Sequence, residues 1–490
     1  MSSTRSTETL NDSSVHKSLL IGPLQNLVNE GTEDEATGPL IGDEHHKLWV
    51  NLVYEMFLTT MDSRKLENRT ICLPQVIASL YLVGEIGPTN SNFAVRAVLN
   101  PQGAEVPRHI YGNIPFYIRE WEQHLSTYAK PNGYWSARRV LVHRENSKSY
   151  GVVTFVLLKK LGVELKLSSK ENEKELIHWL RRDLKLVDSN FQPFKLWLDE
   201  VNEQSEQNRR CPIIASASHF RFQIPSSFLD GNNVYTTKFQ FNEKRTENVL
   251  SCLIQATPRR TIKYITLDQC ELIEVPVVSE HLKVYIITKW DKCIIKTGTE
   301  LTAKIQLLRT GQSFKELRKL YLPMFDESQN NVSNVAEFFV RCIPDTDKSY
   351  QNNGFGDLAC EGAEASSSFT NKLTANTQHF DYLELMHLPQ VTSYQDIATV
   401  SEKSQNDQLV ISNPFAIIVW DTKKNVPVYL SRIVLPNLLK GFGDKVSSAE
   451  KNDEKAPSKW PKLKNWFKPK AKSVKTMDAQ QRRSGSTAEL

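Results

Sequence analysis

Asn413-Pro414-Phe415-Ala416-Ile417-Ile418-Val419-Trp420-Asp421, followed by Pro427-Val428-Tyr429-Leu430-Ser431-Arg432-Ile433-Val434, is the most informative stretch of this chain. Both halves are short, rich in β-branched and aromatic residues, and separated by the turn-forming segment 422–425. The spacing predicts two adjacent strands. Their near-continuous apolar character predicts burial on both faces, since a strand with one wet face alternates apolar and polar residues.

Working back from this stretch, further short segments of the same kind lie at 211–222, 234–241, 248–255, 270–278, 282–288 and 319–325. Another at 137–143 alternates well enough for a strand. Helical periodicity is concentrated earlier. Leu48, Trp49, Leu52, Val53, Met56 and Phe57 form a stripe at three-and-four spacing behind a cap at Asp43. A second helix starts with Pro74 in its first turn and runs through Ile77, Leu80, Tyr81 and Leu82 towards Gly87. A third covers 171–185, with Leu176, Trp179, Leu180 and Leu184 on one face. Helices first and strands later predict an α+β fold rather than an alternating parallel sheet.

The chain has 490 residues, 40% hydrophobic and 24% charged, with a net charge of +5, which is globular in composition and does not demand a polyanionic partner. Seven cysteines at 72, 211, 252, 270, 293, 342 and 360 include no CxxC pair, and no histidines cluster near them. Neither a disulfide framework nor a zinc site is expected. The sequence contains no G-x-S-x-G, HExxH or Walker A motif, and Gly354-x-Gly356-x-x-Ala359 has no preceding strand to make it a dinucleotide site. The reading is therefore of a protein that is not an enzyme and that uses no cofactor and no metal.

The C-terminal pair of strands closely resembles the C-terminal signature of the serpins, the fold family of the serine-protease inhibitors. Supporting segments occur in the family's order. Leu73-Pro74 through Ile77 to Gly87 looks like the family's second helix. Lys159-Lys160-Leu161-Gly162-Val163-Glu164 looks like the segment before its inserted helix, and Trp179 matches that helix's tryptophan. Glu274-Val275-Pro276-Val277 and Leu322-Pro323-Met324-Phe325 are similar to two of its strand ends, the latter in the strand that precedes the reactive loop. The resemblance implies a serpin domain over about 43–436, with helices packed around a large antiparallel sheet, further sheets, and an exposed reactive-type loop at about 362–412. A flexible leader at 1–42 and a disordered basic tail at 437–490 flank it.

In the family, a protease cleaves the loop, stays esterified to it, and is carried across the molecule as the loop enters the main sheet as a new strand. The hinge of such a loop resembles Glu361-Gly362-Ala363-Glu364-Ala365 followed by Ser366-Ser367-Ser368-Phe369-Thr370. An inserting strand buries alternate residues. Positions 363, 365, 367, 369, 371, 373 and 375 read Ala, Ala, Ser, Phe, Asn, Leu and Ala, while the intervening positions are all polar. Counting forward from the hinge gives Asn376-Thr377 as the nominal scissile bond, with Lys372, Leu373 and Phe380 as alternative cleavage positions.

Several features depart from the family pattern. The interval from Gly362 to Pro414 spans 52 residues, about twice the expected loop, and the interval from Pro323 to Gly362 is shortened. Segment 352–357, where the strand feeding the hinge is expected, is made of turn formers. The polar residues that the family places under its central strands correspond to Leu73, Val76, Ser216 and Ile224, predicting a loss of polar contacts there.

Two functions follow. The first is a suicide-substrate inhibitor of a serine or cysteine protease. The second is a non-inhibitory serpin-fold binding protein that uses its long loop and its tail. That tail interleaves Lys459, Lys462, Lys464 and Lys468 with Trp460, Trp466 and Phe467, a mixture suited to an anionic membrane surface or to nucleic acid. A monomer is expected. The first apolar run, Leu19-Leu20-Ile21, is too short for a signal-peptide core, which points to a cytoplasmic or nuclear protein, although an extracellular location is common in the family.

Overall fold

A computed structural model describes residues 41–59, 68–86, 95–101, 103, 111–128, 133–142, 159–167, 173–184, 213–258, 260–293, 295–311, 314–325, 333–334, 377–386, 397–399 and 407–436. Its helices are α1 (Asp43–Thr59), α2 (Leu73–Ile86), α3 (Ile114–Tyr128), α4 (Glu173–Leu184) and α5 (Gly298–Thr310). The strands are β1 (Arg69–Cys72), β2 (Gly133–Val142), β3 (Glu164–Leu167), β4 (Ile213–Gln223), β5 (Leu229–Asn242), β6 (Arg245–Gln255), β7 (Ile262–Leu267), β8 (Cys270–Val275) and β9 (Leu282–Ile287). They continue with β10 (Lys315–Leu317), β11 (Lys319–Pro323), β12 (Ser333–Asn334), β13 (Thr377–Met386), β14 (Ile397–Thr399), β15 (Gln408–Val410), β16 (Phe415–Asp421) and β17 (Val426–Ile433).

Three sheets result. The largest, β1-β17-β16-β9-β8-β7-β10, is antiparallel throughout. The two signature strands stand second and third from one edge, flanked by β1 and β9, and every residue of both is buried. Burial on both faces is what removes the alternation from their sequences. The turn between them is held by Asp421, whose Oδ1 accepts hydrogen bonds from the backbone N–H groups of Lys423 and Lys424 at 2.9 and 3.1 Å. Asn425 completes it at φ 57°, a left-handed conformation that asparagine tolerates.

A second sheet has the order β14-β5-β6-β11-β15 and a third β12-β13-β4-β2-β3. Both are mixed. In the third, β13 runs parallel to β4 along ten paired residues, Thr377↔Ile214 to Met386↔Gln223, while β2 and β12 are antiparallel to their neighbours β4 and β13.

The helices cover this framework. α1 buries Trp49, Val53, Met56 and Phe57, and α2 buries Val76, Ile77, Leu80 and Tyr81, as their periodicity predicts. Two helices escaped the sequence reading although each carries a signal. In α3, Ile114, Ile118, Trp121 and Leu125 recur at helical spacing and are all fully buried. In α5, Thr297 caps the helix by accepting from the Glu300 N–H at 3.1 Å, and Glu300 reaches back to the Lys296 N–H at 3.0 Å. This is a reciprocal cap that the T-x-x-E pattern encodes. Gly298 lets α5 approach α1, because a Cβ there would stand 2.7 Å from the Val50 carbonyl oxygen.

No described helix is long and apolar enough to cross a membrane, and among the described residues no group of three or more His, Cys, Asp or Glu is placed to hold a metal. Residues 1–40 and 437–490, the latter with the Lys459–Lys468 segment, lie outside the described residues.

Candidate loop-receiving sheet

The candidate site is the parallel pair β4 and β13 with the helices beneath it. Ser216 of β4 stands in register with Arg138 of β2 on one side and with His379 of β13 on the other. Below this row lie α2 and α3. Ser79 of α2 and Ser216 share a hydrogen bond of 2.7 Å between their hydroxyls, and both residues are fully buried. Leu73, Val76 and Ile224 are buried apolar residues.

Polar contact between helix and central strand is therefore present. It is made by Ser79, three residues beyond Val76, and the expected loss at Leu73 and Val76 does not leave the strand without a polar tether. Removing one hydroxyl from the pair by Ser79→Ala deprives the buried Ser216 of this partner, with an expected cost of about 1–3 kcal/mol. Ser79→Ala/Ser216→Ala is expected to cost less than the sum of the single variants, as read from denaturant midpoints in a double-mutant cycle.

On the neighbouring strand β2, Arg138, in register with Ser216, penetrates to Glu122 of α3. Glu122 accepts from Arg138 Nη1 at 3.0 Å, from Gln75 Nε2 at 3.1 Å and from the Tyr134 hydroxyl at 3.2 Å. Arg138 also donates to the Leu161 carbonyl at 3.4 Å. This ion pair ties strand β2 to α2 and α3 at the level of the Ser79–Ser216 bond. The sequence reading passed over Glu122, because a lone glutamate among Trp121, Gln123 and His124 looks like an exposed helix position.

β13 ends at Met386 and β15 begins at Gln408, so the connection between the two sheets is residues 387–407, 21 residues. Within it β14 pairs in parallel with β5, Ile397↔Val234 to Thr399↔Thr236, and after it β15 pairs in parallel with β11. The strand before this connection is β13; segment 352–357 lies outside the described residues. Leu322 and Pro323 belong to β11 in the second sheet, and β12 and β13 intervene before the loop.

These placements correct two of the expected cleavage positions. Thr377 and Phe380 are not on an exposed loop: they stand on β13, opposite Ile214 and Ala217 of β4. A strand hydrogen-bonded within a sheet cannot enter a protease cleft. Asn376, Lys372, Leu373 and the hinge residues Glu361, Gly362, Ala363, Glu364 and Ala365 lie outside the described residues, and all precede β13 in the chain.

Three sheets with α2 beneath a parallel central pair, and a connection leading from that pair to the edge of a second sheet, match solved structures with high consistency. Native protease nexin-1 with heparin aligns at a TM-score of 0.56 and 12% identity, covering 80% of this chain and 100% of that one. The chain has the serpin fold. A mouse protein-Z dependent protease inhibitor aligns at 0.50 and 12% identity, with 81% and 97% covered. Human thyroxine-binding globulin complexed with thyroxine aligns at 0.52 and 10% identity, with 80% and 98% covered. At the level of sequence no family model and no curated protein matches the chain. The serpin fold thus carries both a protease inhibitor and a thyroxine-binding globulin among these neighbours, and identities of 10–12% speak for the fold alone.

Proposed function

We propose that this chain is a non-inhibitory serpin-fold binding protein whose connection between β13 and β15 serves as a recognition loop. One observation carries this reading. Because β13 ends at Met386, the segment that would have to slide between β13 and β4 is Leu388-Pro389-Gln390-Val391-Thr392-Ser393-Tyr394-Gln395-Asp396.

That segment is a poor inserting strand. Pro389 has no N–H for a ladder and disfavours a central position. Of its two alternating faces, one would bury Gln395 and the other Gln390 and Asp396, and an unpaired buried carboxylate is costly. Tyr394 adds a large side chain where small residues ease entry. The small-residue run at 363–368, which has the right composition, precedes β13 and so does not follow the strand from which an inserting loop must fold back.

The second reading, a protease trap, is favoured by the sheet rather than the loop. Two parallel neighbours such as β4 and β13 can be parted by one antiparallel strand, which would exchange a parallel ladder for two antiparallel ones, the more stable kind per residue. The two readings separate in one experiment. The full chain is nicked within 387–396 by a nonspecific protease, the cut is mapped by mass spectrometry, and the melting temperature is compared with that of the intact protein. In parallel, a panel of serine and cysteine proteases is tested for adducts that survive SDS. An unchanged or lower melting temperature without adducts is the expected result; a clear rise, or a stable adduct, overturns it and restores the trap.

A further inference from the structure

Cys270 and Cys293 are 23 residues apart in the chain, yet their sulfurs lie 3.4 Å from each other. Each is fixed by a different device. Cys270 opens β8 directly after the β7–β8 hairpin turn, where Leu267 pairs with Cys270 and Asp268 takes a φ of 43°. Cys293 closes the 3-10 turn Trp290–Lys292, donating its N–H to the Trp290 carbonyl at 3.0 Å. Between them, Thr288 and Glu271 lock the strands: the Thr288 N–H donates to the Glu271 carbonyl at 3.0 Å, and the Glu271 N–H to Thr288 Oγ1 at 2.9 Å. The hairpin end and the turn are thereby held in one position.

From this geometry we infer that Cys270 and Cys293 form a reversible intramolecular disulfide on exposure to a low-molecular-weight disulfide. The sulfurs need to close by only about 1.4 Å to reach a bond of roughly 2.05 Å. The two cysteines divide the chemistry by exposure. Cys293 is partly exposed and accepts the hydrogen bond of the buried Cys270 thiol. That hydrogen bond, then burial and the carboxylates of Glu271 and Asp268, push the Cys270 thiol up from its ordinary range.

Cys293, after loss of its proton to solvent, is the sulfur that attacks the external disulfide. One S–S bond breaks as a mixed disulfide forms at Cys293, and the first external thiolate leaves and takes up a proton. Cys270 then attacks the Cys293 sulfur, the second external thiolate leaves, and the Cys270 proton goes to it. Two protein thiols are oxidised and one external disulfide is reduced to two thiols.

The cross-link has a defined structural reach. Trp290, in the turn that ends at Cys293, donates its N–H to the Pro414 carbonyl at 2.9 Å and packs edge-on against Tyr54 of α1, with ring centroids 6.3 Å apart. Oxidation therefore staples the β7–β8 hairpin to the turn that holds the chain just before β16. By restricting the unfolded chain it raises the stability of the oxidised form.

The test uses the full chain, incubated with excess glutathione disulfide or with dithiothreitol, alkylated in denaturant, and digested without reduction for mass spectrometry. The expected result is a Cys270–Cys293 linked peptide, a loss of two alkylatable thiols relative to the reduced sample, and a higher melting temperature that dithiothreitol reverses. Cys270→Ala, which removes the second attacking sulfur, is expected to stop at a glutathione adduct on Cys293. The inference is overturned if the wild-type chain retains both thiols, carries glutathione at Cys293 as its end product, or links either cysteine to a different one.

Discussion

Replacing Arg138 by methionine is expected to destabilise the protein by about 3–5 kcal/mol, the cost of leaving one member of a buried ion pair without its partner. The side chains concerned are almost entirely inside: Arg138 is 3% and Glu122 11% exposed. Glu122 would keep Gln75 and Tyr134 as donors but lose the guanidinium that neutralises it. Either a bare carboxylate stays buried or a proton is taken up, and both raise the energy of the folded state. Glu122→Leu/Arg138→Met, in which both charges are gone, is expected to be more stable than Arg138→Met alone, since an apolar pair of similar volume carries no desolvation cost. Denaturant unfolding of the two variants checks this, and a loss below about 1 kcal/mol in the single variant would show that the pair contributes little.

A second large effect is expected at Asp421, the last residue of β16. Its carboxylate is fully buried and accepts three hydrogen bonds, from Trp121 Nε1 at 2.9 Å and from the backbone N–H groups of Lys423 and Lys424. It thus joins the β16–β17 turn to α3. Hydrogen bonds to a charged group contribute about 1.5–3 kcal/mol each, and the two turn donors can turn to water, so Asp421→Ala is expected to cost about 3 kcal/mol. Asp421→Asn is expected to cost less but not nothing, because an amide offers one acceptor oxygen for donors on two sides. Equal losses in the two variants would mean that the acceptor geometry is irrelevant and only the charge counts.

How far the fold was legible depended on where its determinants lie along the chain. α1 and α2 were readable because their stripes are local, recurring every three or four residues. β16 and β17 were readable because strands buried on both faces show it as unbroken apolar runs. α5 could have been found from Thr297 and Glu300, and α3 from Ile114, Ile118, Trp121 and Leu125. β13 was of another kind. Thr377-Gln378-His379-Phe380-Asp381-Tyr382-Leu383-Glu384-Leu385-Met386 mixes apolar and polar residues without clean alternation, and the Gly-Ala-Glu-Ala-Ser run at 362–366 offered a more familiar pattern nearby.

The candidate site followed the same division. Ser216 and Trp179 could be placed from the sequence, whereas the Ser79–Ser216 bond and the Glu122–Arg138 pair bring together residues 137 and 16 positions apart. The Cys270–Cys293 contact needs both the hairpin turn and the 3-10 turn to exist before the sulfurs can meet.

By itself, then, the sequence determined the α+β class, the serpin resemblance and most elements of the framework, because periodicity and burial are written into neighbouring residues. Only the tertiary structure decided that β13 lies beside β4, and with it that the connection to the second sheet follows Met386. That choice is made by ten residue pairs between β13 and β4, more than 160 positions apart in the chain, and a pairing of that range leaves no mark on local periodicity.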